Sequence, residues 1–168
     1  PGPGTFPVYA VGLDDMFVVK LNASGQFVWG VVAAGVLTEL SGNVITDAAG
    51  SIYVAGQFTG TADFDPGPAN HWLTDTNGGG IYIPKLDSGG QFSWAFNTGG
   101  YNAFASFSDV DFPIALDAQG MLYAAYYFKG TFDFDPGPGT YNLTALPAQY
   151  QDAFILKLMG DQMPLRDI

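Results

Sequence analysis

The chain has 168 residues, the size of one ordinary domain, and 48% of them are hydrophobic, which is ample for a core. Its formal charge is −11, from 15 Asp and one Glu against four Lys and one Arg, which argues against nucleic acid or an anionic bilayer as a partner. There is no cysteine, so disulfides and thiolate metal sites are excluded, and no run of about 18 apolar residues is present to insert into a membrane as a helix.

Aromatics reach 15%, mostly Phe and Tyr, and no window holds a sustained 3.6-residue apolar period, so strands are expected throughout. In chain order, the first is Asp15 to Leu21 (DMFVVKL) and the second Gln26 to Ala34 (QFVWGVVAA). Asn43 to Ala48 and Ser51 to Phe58 (SIYVAGQF) follow, then Gly80 to Leu86 (GIYIPKL) and Gln91 to Asn97 (QFSWAFN). Pro113 to Ala118, Met121 to Phe128 and Asp152 to Leu158 (DAFILKL) close the series. Four of the connections read [Asp or Asn]-x-x-Gly: Asn22 to Gly25, Asp47 to Gly50, Asp87 to Gly90 and Asp117 to Gly120. The Asp or Asn side chain accepts an amide two residues on, and Gly takes the left-handed position, so each is a hairpin turn. Pro84 lies inside a predicted strand and cannot donate a ladder hydrogen bond, so an irregularity is expected there.

The series is a repeat. Asp47 to Pro68 and Asp117 to Pro138 match at 14 of 22 positions, 70 residues apart, and both end in DFDPGP. The opening PGPGT recurs at Pro136 to Thr140. Four antiparallel strands per unit, with unit following unit, fit a β-propeller blade better than a β-sandwich with one duplicated hairpin. The expected division is a partial unit over 1–42 (strands three and four), a complete unit over 43–107, an incomplete unit over 108–158 and a tail over 159–168. That makes about two and a quarter repeats, whereas closed propellers have about four blades or more. The chain is therefore expected to be an excerpt of a longer protein, with closure between neighbouring chains or an open array as the other arrangements.

The DFDPGP loops are the most pointed chemical feature. Asp63 and Asp65, like Asp133 and Asp135, stand two apart, which places both carboxylates of a pair on one face of an extended segment. Two readings stay open. The pairs offer hard oxygen ligands suited to Ca²⁺, or they cap the Pro-Gly turn. A glycosidase acid and base would need one unique pair, whereas these loops recur on separate units. His71 is the only histidine, which leaves no histidine cluster or triad. Lys20, Lys85 and Lys157 recur at one strand position and read as a structural slot with a packed stem. Trp29 and Trp94 also recur, as core packing between units or as an aromatic shelf for sugars. Trp72, Tyr101, Tyr126 and Tyr127 do not recur and are the better candidates for ligand contact. No phosphate-binding glycine loop, nucleophile elbow or zinc-ligand spacing is present.

The segments Tyr53-Val-Ala-Gly56, Asp152 to Leu158 and Asn22 to Trp29 (NASGQFVW) resemble the SBBP-type β-propeller repeats of bacteria. The resemblance implies a secreted or cell-surface repeat protein, as in Bacteroidetes-like organisms, where such repeats stand beside adhesion or sorting modules. It implies no shared catalytic motif. The expectation is thus a non-enzymatic extracellular scaffold for adhesion or binding, contacting glycan, a surface protein or its own neighbours. The alternative is a Ca²⁺-stabilised repeat of an extracellular assembly, and a glycan-active enzyme stands third.

Overall fold

The computed structural model describes residues 4–100, 111–135, 139–147 and 150–159. Every regular element among them is a strand: β1 (Met16–Leu21), β2 (Phe27–Gly35), β3 (Glu39–Thr46), β4 (Ile52–Asp63), β5 (Trp72–Leu86), β6 (Phe92–Gly100), β7 (Ile114–Leu116), β8 (Leu122–Phe128), β9 (Thr131–Asp133), β10 (Asn142–Thr144) and β11 (Asp152–Leu158). The protein is all-β, and all its strand ladders are antiparallel. No closed barrel or propeller is formed among the described residues.

β1 and β2 form the first hairpin; β3, β4, β5 and β6 follow in hydrogen-bonded order; β7, β8 and β11 form a three-stranded sheet in which β8 is central. β3 begins at Glu39, inside the segment assigned above to the first unit, and the end of β2 pairs with β4 at Ala34–Asp63 and Gly35–Ala62. The first hairpin and second unit therefore share one continuous sheet. The tail beyond Met159 and residues 101–110 lie outside the described residues.

The four Asx turns form as expected. Gly25, Gly50, Gly90 and Gly120 have φ between +74° and +85°, the left-handed region where a Cβ would be strained. Asn22, Asp87 and Asp117 each accept the amide two residues on at 2.8–2.9 Å. Around Pro84, β4 and β5 pair at Tyr53–Lys85 and again at Gly56–Tyr82, with no pair between. The register slip toward β6 falls one residue later, at Lys85/Leu86. The first hairpin slips at the equivalent Lys20/Leu21 without any proline, so the slip belongs to the hairpin turn.

The core lies between sheets. Side chains alternate along β4 and β5, and both faces are covered. Ile52, Val54, Phe58, Tyr82 and Leu86 meet Met16 and Ala33 of the first hairpin. Tyr53, Ala55, Ile81 and Ile83 point the other way, with Trp94 and Phe96 of β6, onto Leu122, Ala124, Phe154 and Leu158 of the third sheet. Burial on both sides explains the unbroken apolar runs of these strands.

β4 and β5 continue past the sheet into a second, shorter ladder, Gly60–Asp75 through Asp63–Trp72, after a register shift at Phe58/Gly60. We call this two-stranded extension the flap. In the third unit β9 and β10 form the same flap, with Thr131 opposite Thr144 and Asp133 opposite Asn142. Gly60 and Gly130, at φ +70° and +83°, make the bend in each.

An aromatic trio anchors each flap. Phe64, the middle residue of the first DFD, lies 4.7 Å from the Tyr82 ring and 5.4 Å edge-on to Phe58. Phe134 repeats this at 5.0 Å from Phe154 and 5.3 Å from Phe128. Phe64 is fully buried. Replacing it with Ala removes one large ring and leaves a cavity, so Phe64→Ala is expected to cost about 3–5 kcal/mol in urea unfolding.

Candidate functional site

The flap tips place the four motif aspartates. Asp63 Oδ1 accepts the amides of Asp65 at 3.0 Å and of His71 at 2.8 Å, and Oδ2 accepts the Asn70 side-chain amide. Asp65 Oδ1 accepts the Gly67 amide at 2.7 Å. In the third unit Asp133 Oδ1 accepts the amides of Asp135 at 3.0 Å and of Tyr141 at 2.7 Å. The same carboxylate thus spans the same loop twice, with a backbone bond closing each base: Phe64 N–H to His71 O at 3.0 Å and Phe134 N–H to Tyr141 O at 2.9 Å. These are turn-capping bonds. No group of three or more His, Cys, Asp or Glu side chains converges as metal ligands among the described residues.

The aromatic candidates fall into different settings. Trp72 is 53% exposed at the tip of the first flap, directly opposite Asp63. The exposed Tyr141 stands at the matching end of the second flap, following the loop that Asp133 caps. Tyr126 is half-buried against Phe112 at 4.6 Å, while Tyr127 is exposed on the outer face of the third sheet. Tyr101 lies outside the described residues. His71 packs at 4.8 Å on Phe92. Trp94 is buried in the inter-sheet core, and Trp29 is half-buried against the turn of the second unit, donating to Ser88 O at 3.3 Å. Both repeated tryptophans are therefore packing residues between units.

The recurring lysines occupy a defined slot. Lys85 Nζ sits 4.0 Å from Asp47 and 5.1 Å over the Tyr53 ring, and the Tyr53 hydroxyl bonds Asp47 at 3.3 Å. Lys157, Tyr123 and Asp117 repeat the arrangement at 3.9, 5.0 and 3.1 Å. Burial opposes ionisation of Asp47, but bonds from Ser51 and Tyr53 and the charge of Lys85 together hold its carboxyl below the usual range. Asp117 is also held low, chiefly by the Met121 amide. Lys20 instead donates to Ser88 O at 2.6 Å. The slot ties a turn, strand two and strand three together.

Sequence reasoning passed over the one glutamate. Glu39 is 2% exposed at the start of β3. Its Oε2 accepts the Gly35 amide at 2.9 Å; Oε1 is buried and, like Asp15 Oδ1, has no hydrogen-bond donor. Burial pushes its carboxyl up to about 7; the Gly35 amide opposes this, and the neighbouring Asp15 and Asp14 add to it. A buried carboxyl beside other carboxylates keeps its proton more readily than one in water. The available signal was compositional: a lone Glu among 15 Asp.

No known protein family, curated protein or solved structure matches this chain.

Two outcomes are expected. Asp63→Ala leaves two backbone amides and the Asn70 side-chain amide without their acceptor, so the urea midpoint is expected to fall by the equivalent of about 1–3 kcal/mol. For Glu39, the unfolded carboxyl ionises near 4.5 and the folded one near 7, so the folded state holds the extra proton between them. Its contribution is complete below pH 4.5 and is lost as pH rises to about 7. Stability should decline across that window, and Glu39→Gln should flatten the decline in melts taken at successive pH values.

Proposed function

We propose that the chain is a non-enzymatic scaffold of propeller-type repeats that works outside the cell, holding loops in register for adhesion to a glycan or a surface protein. The observation that carries this reading is the pair of flaps. Each projects beyond its sheet, each is clamped by one carboxylate, and each brings an exposed ring, Trp72 or Tyr141, to its tip. Features that recur unit after unit serve architecture and repeated contact better than a single reaction centre. A flat ring beside polar loop groups suits the apolar face of a sugar, with the loop polar atoms at its edge. The resemblance to SBBP-type repeats and the net charge of −11 accord with an extracellular surface.

A glycan array, followed by titration of the strongest hit, tests the reading. Trp72→Ala is expected to weaken binding roughly tenfold, about 1.4 kcal/mol, with an unchanged urea midpoint because the ring is exposed. Binding indifferent to both Trp72→Ala and Tyr141→Ala would remove the flaps from the contact.

A further inference from the structure

The first hairpin, the second unit and the third sheet follow one another in one sense, so each has a forward face and a backward face. The forward face of the second unit carries Ile81 and Ile83 and is buried by the backward face of the third, where Phe154 and Leu158 lie. The matching forward positions of the third unit are Ala153 and Ile155, one strand over from Tyr127. No described residue covers them: Ile155 is 80% exposed, whereas Ile83 is fully buried. Lys157 shows the same contrast, with a side chain 50% exposed against 9% for Lys85, in the same slot geometry. A cleft of about 460 Å³, lined in part by Tyr127, Ala153 and Ile155, opens on this face.

The first hairpin is the mirror case. Its forward residues Met16 and Ala33 are buried on the second unit. Its backward residues Phe17, Val19 and Leu21 match Tyr82, Pro84 and Leu86, which are buried, yet they are 61%, 44% and 45% exposed. The two ends of the stack therefore present the two halves of the contact that the interior already makes. Phe6 covers only the β2 side of the first face, at Phe27 and Gly30.

We propose that the forward face of the third sheet (Tyr127, Ala153, Ile155) receives the backward face of the first hairpin (Phe17, Val19, Leu21) of a second copy of this chain. The contact is heterologous, head to tail, and propagates into a ring or an open stack. It stands apart from whatever the flaps bind. The charge of −11 on each copy opposes association, so added salt strengthens it.

Sedimentation velocity over a concentration series tests this with the whole chain. The wild type is expected to gain mass with concentration, more so at higher salt. Ile155→Asp and Phe17→Asp are each expected to weaken association at least ~10-fold, a loss of about 1.4 kcal/mol. Mixed in equal amounts, they keep one intact face each and should re-form a species of two chains and no larger. A wild type that stays monomeric at every concentration overturns the proposal. So does association that survives either substitution, or a mixture that does not recombine. Circular dichroism and the urea midpoint confirm that each variant folds, and Ile155→Gln with Val19→Gln provides a second pair if either does not.

Discussion

A sheet with two apolar faces cannot be covered from one side. β4 and β5 alternate two hydrophobic sets along one strand pair, and each set needs its own neighbour. That requirement dictates the order of everything else. The first hairpin covers one face and the third sheet the other, and a unit built this way must stand in a series. The hydrophobic gain on each face scales with the area removed from water, so neither face is dispensable to the second unit. The Lys–Tyr–Asp slot and the turn packing against Trp29 are secondary ties between elements that face burial has already brought together.

The DFD motif is best understood through its middle residue. Alternation sends Phe64 inward to the Phe58–Tyr82 pair and leaves Asp63 and Asp65 outside. The carboxylates then meet the amides of the loop they begin. The third unit reproduces the aromatic trio and the Asp133 clamp while changing many residues around them. What repeats is therefore a mechanism for holding a flap at a fixed angle. The side chains free to differ, such as Trp72 and its counterpart Asn142, stand at the flap tip, opposite the clamping aspartate.

Nine of the eleven strands, their antiparallel hairpin pairing and the four Asx turns were legible in the sequence, because alternation and turn chemistry are local; β9 and β10 were not. The flaps were not. Nothing local says that β4 and β5 resume pairing beyond Gly60, since that register joins residues nine to fifteen positions apart. Attention to the aspartates also hid Phe64, although the same period of two that aligns the carboxylates aims the ring inward. One exchange between units explains itself only in three dimensions. Tyr82 places its hydroxyl against Gly56, bonding Leu40 O at 3.1 Å, where any Cβ would collide with it. The third unit has Phe154 without the hydroxyl and Tyr126 in place of the glycine. Glu39 was hidden for the same reason: its burial comes from the first hairpin closing over the start of β3.

Because the forward and backward faces differ, every unit carries one half of the joint it makes on each side. Inserting or deleting a whole unit would leave each remaining joint with its proper counterpart. A change of half a unit would set like faces against each other. Gene duplication can therefore lengthen or shorten such a protein in whole steps without redesigning a core, and selection can set its length separately from the chemistry of its loops.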